Sequence, residues 1–161
     1  GTSAIMLSGE TSIGKYPVEA VATMARIARQ AEQTIDYSER FRTAKFKIKN
    51  DIDAISHSTC GMAIDINAKA IVACSLSGMT ARMVSRFRAP VDILGMTTDE
   101  RTWRKLALSW GVHPVLALRQ NTTEDLCRHA IDCARNIDAV DKGDLVVITA
   151  GVPLGVSGTT T

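Results

Sequence analysis

AIVACSLSGMTARMVSR, residues 70–86, decides the reading of the whole chain. Five apolar residues come first, Ala70-Ile71-Val72-Ala73-Cys74, with no polar alternation. Such a run suits a strand buried on both faces, as in a parallel sheet. Ser75-Leu76-Ser77-Gly78-Met79-Thr80 follows, with three hydroxyls and a glycine in six residues, and opens a helix expected over residues 79–88. Amides at a helix N-terminus beside such a loop suit a phosphate dianion. Ser77 or Thr80 acting only as a helix cap explains one hydroxyl but not all of them.

Working outward, residues 112–118, interrupted at His113-Pro114, and residues 145–148 are further apolar runs, and Val91-Asp92-Ile93-Leu94 is a weaker one. Residues 99–109 and 122–137 fit crossover helices between them, with caps expected at Thr98 and at Asn121 or Thr122. This βαβ series predicts an α/β fold over residues 50–161, a three-layer α/β/α doubly wound domain. Its sheet is mostly parallel, with about four to five strands. In such a sheet ligands collect beyond the carboxyl ends of the strands, where strand order reverses. A second loop there, residues 151–159, carries Gly151, Gly155 and Gly158 with Val152 and Pro153. It suits a mobile ligand-covering loop or a long turn to another strand.

Upstream, Asn50 reads as the cap of a helix whose face is Ile52, Ile55, Thr59, Met62 and Ile66. Residues 36–49, with Arg40, Arg42, Lys45, Lys47 and Lys49, read as a charged aperiodic connector. Residues 17–33 carry Val18, Val21, Ala25, Ala28 and Ala31 on one helical face, widened by Met24 and Ile27, and need a closely packed neighbour. Residues 4–7 read as a short apolar strand. The stretch from Gly9 to Gly14-Lys15 has the glycine spacing of a phosphate-binding P-loop, but Tyr16 stands where the metal-binding hydroxyl is needed. Pro17 makes itself the natural helix start. A plain strand-to-helix connection is the better reading.

Composition limits the function classes. The chain has 161 residues, 45% apolar and 22% charged, which suits one globular core. A net charge of +2 and 4% aromatic residues argue against a nucleic-acid surface. No apolar run approaches the ~18 residues of a membrane span, and the default location is cytoplasmic. Cys60, Cys74, Cys127 and Cys133 form no C-x-x-C pair, so they read as reduced core thiols, and no metal site is expected. His57, His113 and His129 read as packed or surface residues. Arg82 and Arg86, four apart, suit a phosphate, an interface or a solvated face. Asp92 and Asp99 are carboxylates that could approach the residue 75–80 loop.

Three stretches together carry a resemblance. Ile5-Met6-Leu7-Ser8-Gly9-Glu10-Thr11 with Gly14-Lys15-Tyr16-Pro17-Val18-Glu19-Ala20-Val21 resembles the junction between the catalytic barrel and the C-terminal domain of pyruvate kinase, in a bacterial-type form. Residues 75–86 resemble that family's sugar-phosphate loop and following helix. Gly143-Asp144-Leu145-Val146-Val147-Ile148 with residues 151–161 resembles its penultimate strand and effector loop. The resemblance implies that residues 1–16 end the catalytic barrel and residues 17–49 are a linking helix and connector. Residues 50–161 are then the C-terminal regulatory domain, lacking a final strand. The chain reads as a fragment of a kinase that transfers a phosphoryl group from phosphoenolpyruvate to ADP, giving pyruvate and ATP in glycolysis, with Mg²⁺ and K⁺. No catalytic residue of that reaction falls in it, so alone it is expected to be inactive.

The resemblance also implies an effector site at Ser75, Leu76, Ser77, Gly78, Met79 and Thr80 under an effector loop at Gly151, Val152, Pro153, Gly155 and Gly158. Leu76, Met79 and the uncharged second loop offer little to a second phosphate. The implied effector is therefore a sugar monophosphate or nucleotide monophosphate. A glutamate replacing Thr80 is expected to occupy the phosphate position at little cost to the fold. The implied assembly is a homotetramer, with a purely structural tetramerisation domain or an independent α/β enzyme on a phosphorylated substrate as the other readings.

Overall fold

The structure is a computed structural model and describes residues 2–151. Four strands form one all-parallel sheet: β1 (Ala70–Cys74), β2 (Asp92–Thr97), β3 (Val112–Leu116) and β4 (Val146–Ala150), in the spatial order β3-β2-β1-β4. The helices in chain order are α1 (Gly9–Ser12), α2 (Pro17–Gln33), α3 (Tyr37–Thr43), α4 (Asp51–Asp65), α5 (Met79–Arg86), α6 (Glu100–Leu106) and α7 (Thr123–Asn136).

β1 lies at the centre, and its continuous apolar sequence follows from that position. Ile71 and Ala73 meet Cys60 and Ala63 of α4, Ala81 and Val84 of α5 and Leu106 of α6 in one core. Ala70 and Val72 face Ala130 and Ala134 of α7 in the other. The fold is thus the expected three-layer, doubly wound α/β/α arrangement. Ile71 and Val72 are fully buried, each worth roughly 1.5–3 kcal/mol relative to exposure. All three phenylalanines gather beside the first core, where Phe41, Phe46 and Phe87 surround the His57 ring at centroid distances of 4.9–5.4 Å. His57 is therefore a packed histidine.

Local signals set several boundaries. Pro17 stands at the first turn of α2, and Asn50 caps α4 by accepting from Asp53 N at 2.9 Å. Thr122 caps α7, accepting from Asp125 N at 3.1 Å while donating to the Asp125 carboxylate at 2.7 Å. α6 is capped by Asp99 rather than Thr98, with Thr102 N donating to Asp99 Oδ2 at 2.7 Å.

Other expectations are corrected. Residues 4–7 form no strand: a strand needs a ladder, and no described strand lies beside them. The charged connector contains α3, because Asp36 caps it through Glu39 N at 2.9 Å and Phe41 is buried against the core. The buried face of α4 is Asp53, Ser56, Thr59, Cys60 and Ala63, while Met62 and Ile66 are exposed. Small residues let α4 approach α5 closely, as far as a 3.7 Å contact between Cys60 Sγ and Val84 O. None of the α2 residues is buried, and its apolar Val18, Val21 and Ile27 stand exposed.

Candidate functional site

The sheet order fixes where a ligand crevice opens. β1 pairs with β2 on one side and β4 on the other, so strand order reverses between β1 and β4. Cys74 stands opposite Ala150, so Ser75 and Gly151 leave the sheet from neighbouring strand ends. The first loop and the start of the second therefore leave the sheet side by side at the switch point, where ligands bind in sheets of this kind.

The first loop is held by the sheet before any ligand arrives. Ser75 N donates to Met96 O at 2.9 Å, Thr97 Oγ1 donates to Leu76 O at 3.1 Å, and Asp99 N donates to Thr97 Oγ1 at 3.2 Å. Gly78 precedes α5 at φ +69°, a left-handed conformation. A Cβ there would stand 2.9 Å from Thr102 Cγ2 and 3.1 Å from Leu106 Cδ2, so α6 alone demands a glycine. Ser77 Oγ accepts from Met79 N at 3.4 Å. Ser75 is half-buried, Leu76, Ser77 and Met79 are exposed, and Gly78 and Thr80 are buried. Thr80 is only 2% exposed, so a glutamate there would carry its charge into the core rather than into the crevice. The useful substitution moves to Ser77. Of the second loop, Gly151 is described; Val152, Pro153, Gly155 and Gly158 lie outside the described residues.

The other candidates separate by position. Asp92 opens β2 and so stands at the amino end of the sheet, 3.5 Å from His113 Nε2 and away from the crevice. Asp99 lies at the carboxyl end but is used as a cap; hydrogen bonds from the Thr102 hydroxyl and amide hold its carboxyl below the usual range. Arg86 Nη1 donates to Asp53 Oδ1 at 2.6 Å and Nη2 to Lys47 O at 3.2 Å, so it anchors the connector to α5. Asp53 is 2% exposed and also accepts from Lys49 N at 3.1 Å. Sequence reasoning missed this pair, although Asn50-x-x-Asp53 is a capping-box pattern that marks Asp53 as engaged.

All four cysteines are free thiols. Burial pushes Cys60 and Cys74 up to about 12. His129 Nε2 accepts from Leu118 N at 3.1 Å, a packing role at the end of β3. Among the described residues no group of three or more His, Cys, Asp or Glu is placed to hold a metal ion. No described helix is long and apolar enough to cross a membrane.

Residues 53–161 match the family model described as pyruvate kinase, alpha/beta domain. Pyruvate kinase of Clostridium acetobutylicum is 47% identical over 161 residues, covering 99% of this chain and 34% of that protein. The Staphylococcus epidermidis enzyme is 45% identical over 164 residues, covering 99% of this chain and 28% of its own length. The crystal structure of a pyruvate kinase from Cryptosporidium parvum superposes with a TM-score of 0.82 at 31% identity, over 91% of this chain and 31% of that one. The chain thus spans about a third of the length of the relatives it matches.

Proposed function

The chain belongs to the pyruvate kinase alpha/beta-domain family, as its C-terminal domain, and we propose that it binds an allosteric effector for a kinase of that activity. The ligand class is a sugar monophosphate or nucleotide monophosphate. The supporting observation is the adjacency of β1 and β4, which brings the Ser75 and Gly151 ends into one crevice at the switch point. Ser75 and Ser77 supply hydroxyls, and the first turn of α5 supplies amides with a favourable dipole. Leu76 and Met79, both exposed, border the phosphate subsite without charge.

In this reading residues 1–16 close the catalytic barrel, residues 17–49 link it, and residues 50–161 regulate it. The barrel carries the transfer from phosphoenolpyruvate to ADP with Mg²⁺ and K⁺. Among the described residues no group of three or more His, Cys, Asp or Glu is gathered in one place, and no step here runs through such ions. Oligomerisation, as a homotetramer in the cytoplasm, is part of the same proposal. It is supported by the exposed apolar side chains on α2 and α4.

The test is calorimetric titration of a sugar monophosphate and a nucleoside monophosphate into the intact protein and its Ser77→Glu variant. Ser77 is exposed, so the fixed charge blocks the phosphate position without entering the core. Binding by the parent and its loss in the variant is the expected result. Equal affinity in both would remove the site from this loop.

A further inference from the structure

The charge missing from the switch-point loops is collected elsewhere. A cavity of about 460 Å³ opens between α3, the C-terminal half of α5 and the residues that follow α6. Arg40, Arg82, Arg86 and Arg88 line it together with Ser3 and Ser109, and no lining residue is acidic. Its volume lies within the ~300–1,000 Å³ usual for small-molecule sites.

Four arginines line one concavity, and like charges gathered there repel one another unless an anion is present. The described residues compensate part of that charge. Arg86 is held by Asp53, which lies behind the wall, and Arg88 Nη2 donates to Thr2 O at 3.1 Å and Ser3 Oγ at 3.0 Å. Among the described residues neither Arg40 nor Arg82 forms an ion pair. Burial pulls Arg88 below its ordinary value; Tyr37 and Glu32 oppose this, and the like charge of Arg40 adds to it, as expected of neighbours in one cavity. The chain also accepts backbone strain here. Arg88 sits at φ +56°, in the left-handed region where a glycine is the cheaper residue after a helix. An arginine kept there, with its ring contact to Trp110 at 4.7 Å, holds a guanidinium at the cavity edge.

We propose that this cavity is an anion site, distinct from the switch-point crevice, for a ligand carrying a di- or polyphosphate group, gripped by Arg40 and Arg82 with Arg86 and Arg88 around it. Planar guanidinium forks match phosphate oxygens two at a time, and two or more phosphates are needed to meet charges on separate elements. The cavity wall also includes Ser3, so an occupied site ties the N-terminal segment to α5.

The proposal does not depend on the effector assignment, and the test keeps the two apart. Hydrogen-exchange mass spectrometry is run on the intact protein with inorganic pyrophosphate in metal-free buffer, against sodium chloride at equal ionic strength. The expected result is slowed exchange in peptides spanning residues 40–46 and 82–90. The protection should shrink at least tenfold in apparent affinity in Arg40→Gln/Arg82→Gln and persist in Ser77→Glu. Both arginines are exposed, so the double variant keeps the fold. Protection that is absent, that survives unchanged in the double variant, or that disappears in Ser77→Glu instead would overturn the assignment.

Discussion

Replacing Gly78 by alanine isolates what the loop before α5 owes to the fold rather than to a ligand. Two penalties combine. The left-handed φ of +69° costs an alanine about 1–2 kcal/mol. The new methyl group would stand 2.9 Å from Thr102 Cγ2 and 3.1 Å from Leu106 Cδ2, inside normal contact distance. Leu106 is only 1% exposed and has nowhere to swing, whereas Thr102 is half-buried and gives way more easily. Overpacking of this kind costs about 1–3 kcal/mol. The smaller entropy of the unfolded alanine chain returns roughly 0.4–1 kcal/mol, so the net loss is about 1–5 kcal/mol. Urea denaturation followed by tryptophan fluorescence measures it, since Trp103 lies on α6 beside the contact. Thr102→Ser removes the nearer methyl, so Gly78→Ala in that background should recover about 1 kcal/mol and leave the backbone penalty behind. A single variant within about 0.5 kcal/mol of the parent would show that neither the φ nor the α6 contact constrains this loop.

The ion pair between Asp53 and Arg86 should respond unequally to loss of either partner. Arg86→Ala leaves a carboxylate whose side chain is 3% exposed, a loss of about 3–5 kcal/mol, whereas Asp53→Asn leaves an arginine 38% exposed to water and should cost about 1–2 kcal/mol. Equal urea midpoints for the two variants would contradict the burial argument. For the thiols, Cys60 and Cys74 lie near 12 when folded against 9.0 for the free side chain, so the unfolded chain loses protons first as pH rises. Their stabilising contribution is therefore complete below about pH 9 and declines between 9 and 12. Iodoacetamide at pH 8 should label both more slowly than the half-buried Cys127, and prompt labelling of Cys60 in folded protein would be the contrary result.

The local elements were legible in the sequence because their signals are local. The unbroken apolar run at residues 70–74 could only be a strand covered on both faces, Pro17 could only open a helix, and Asn50 and Thr122 carry side chains that satisfy helix N-terminal amides wherever the helix is placed. The alternation of such signals specified an α/β fold, and the hydroxyl-rich loop after β1 marked its candidate site. Tertiary structure decided what depends on distant residues. No feature of β4 itself says that it lies beside β1, yet that adjacency is what places Gly151 next to Ser75 at the carboxyl end of the sheet. Apolar spacing on α4 picked out Thr59, which is buried, but also Met62 and Ile66, which are exposed, because burial follows the fit against α5, where small side chains approach closest. Arg86 lay on a helix face that spacing could not distinguish from a solvated one, and only folding set Asp53, 33 positions away, against it. Residues 4–7 had the composition of a strand without a described partner to bond to. Periodicity and capping are properties of short segments; strand order, ion-pair partners and cavity charge arise when segments far apart in the chain compete for the same space.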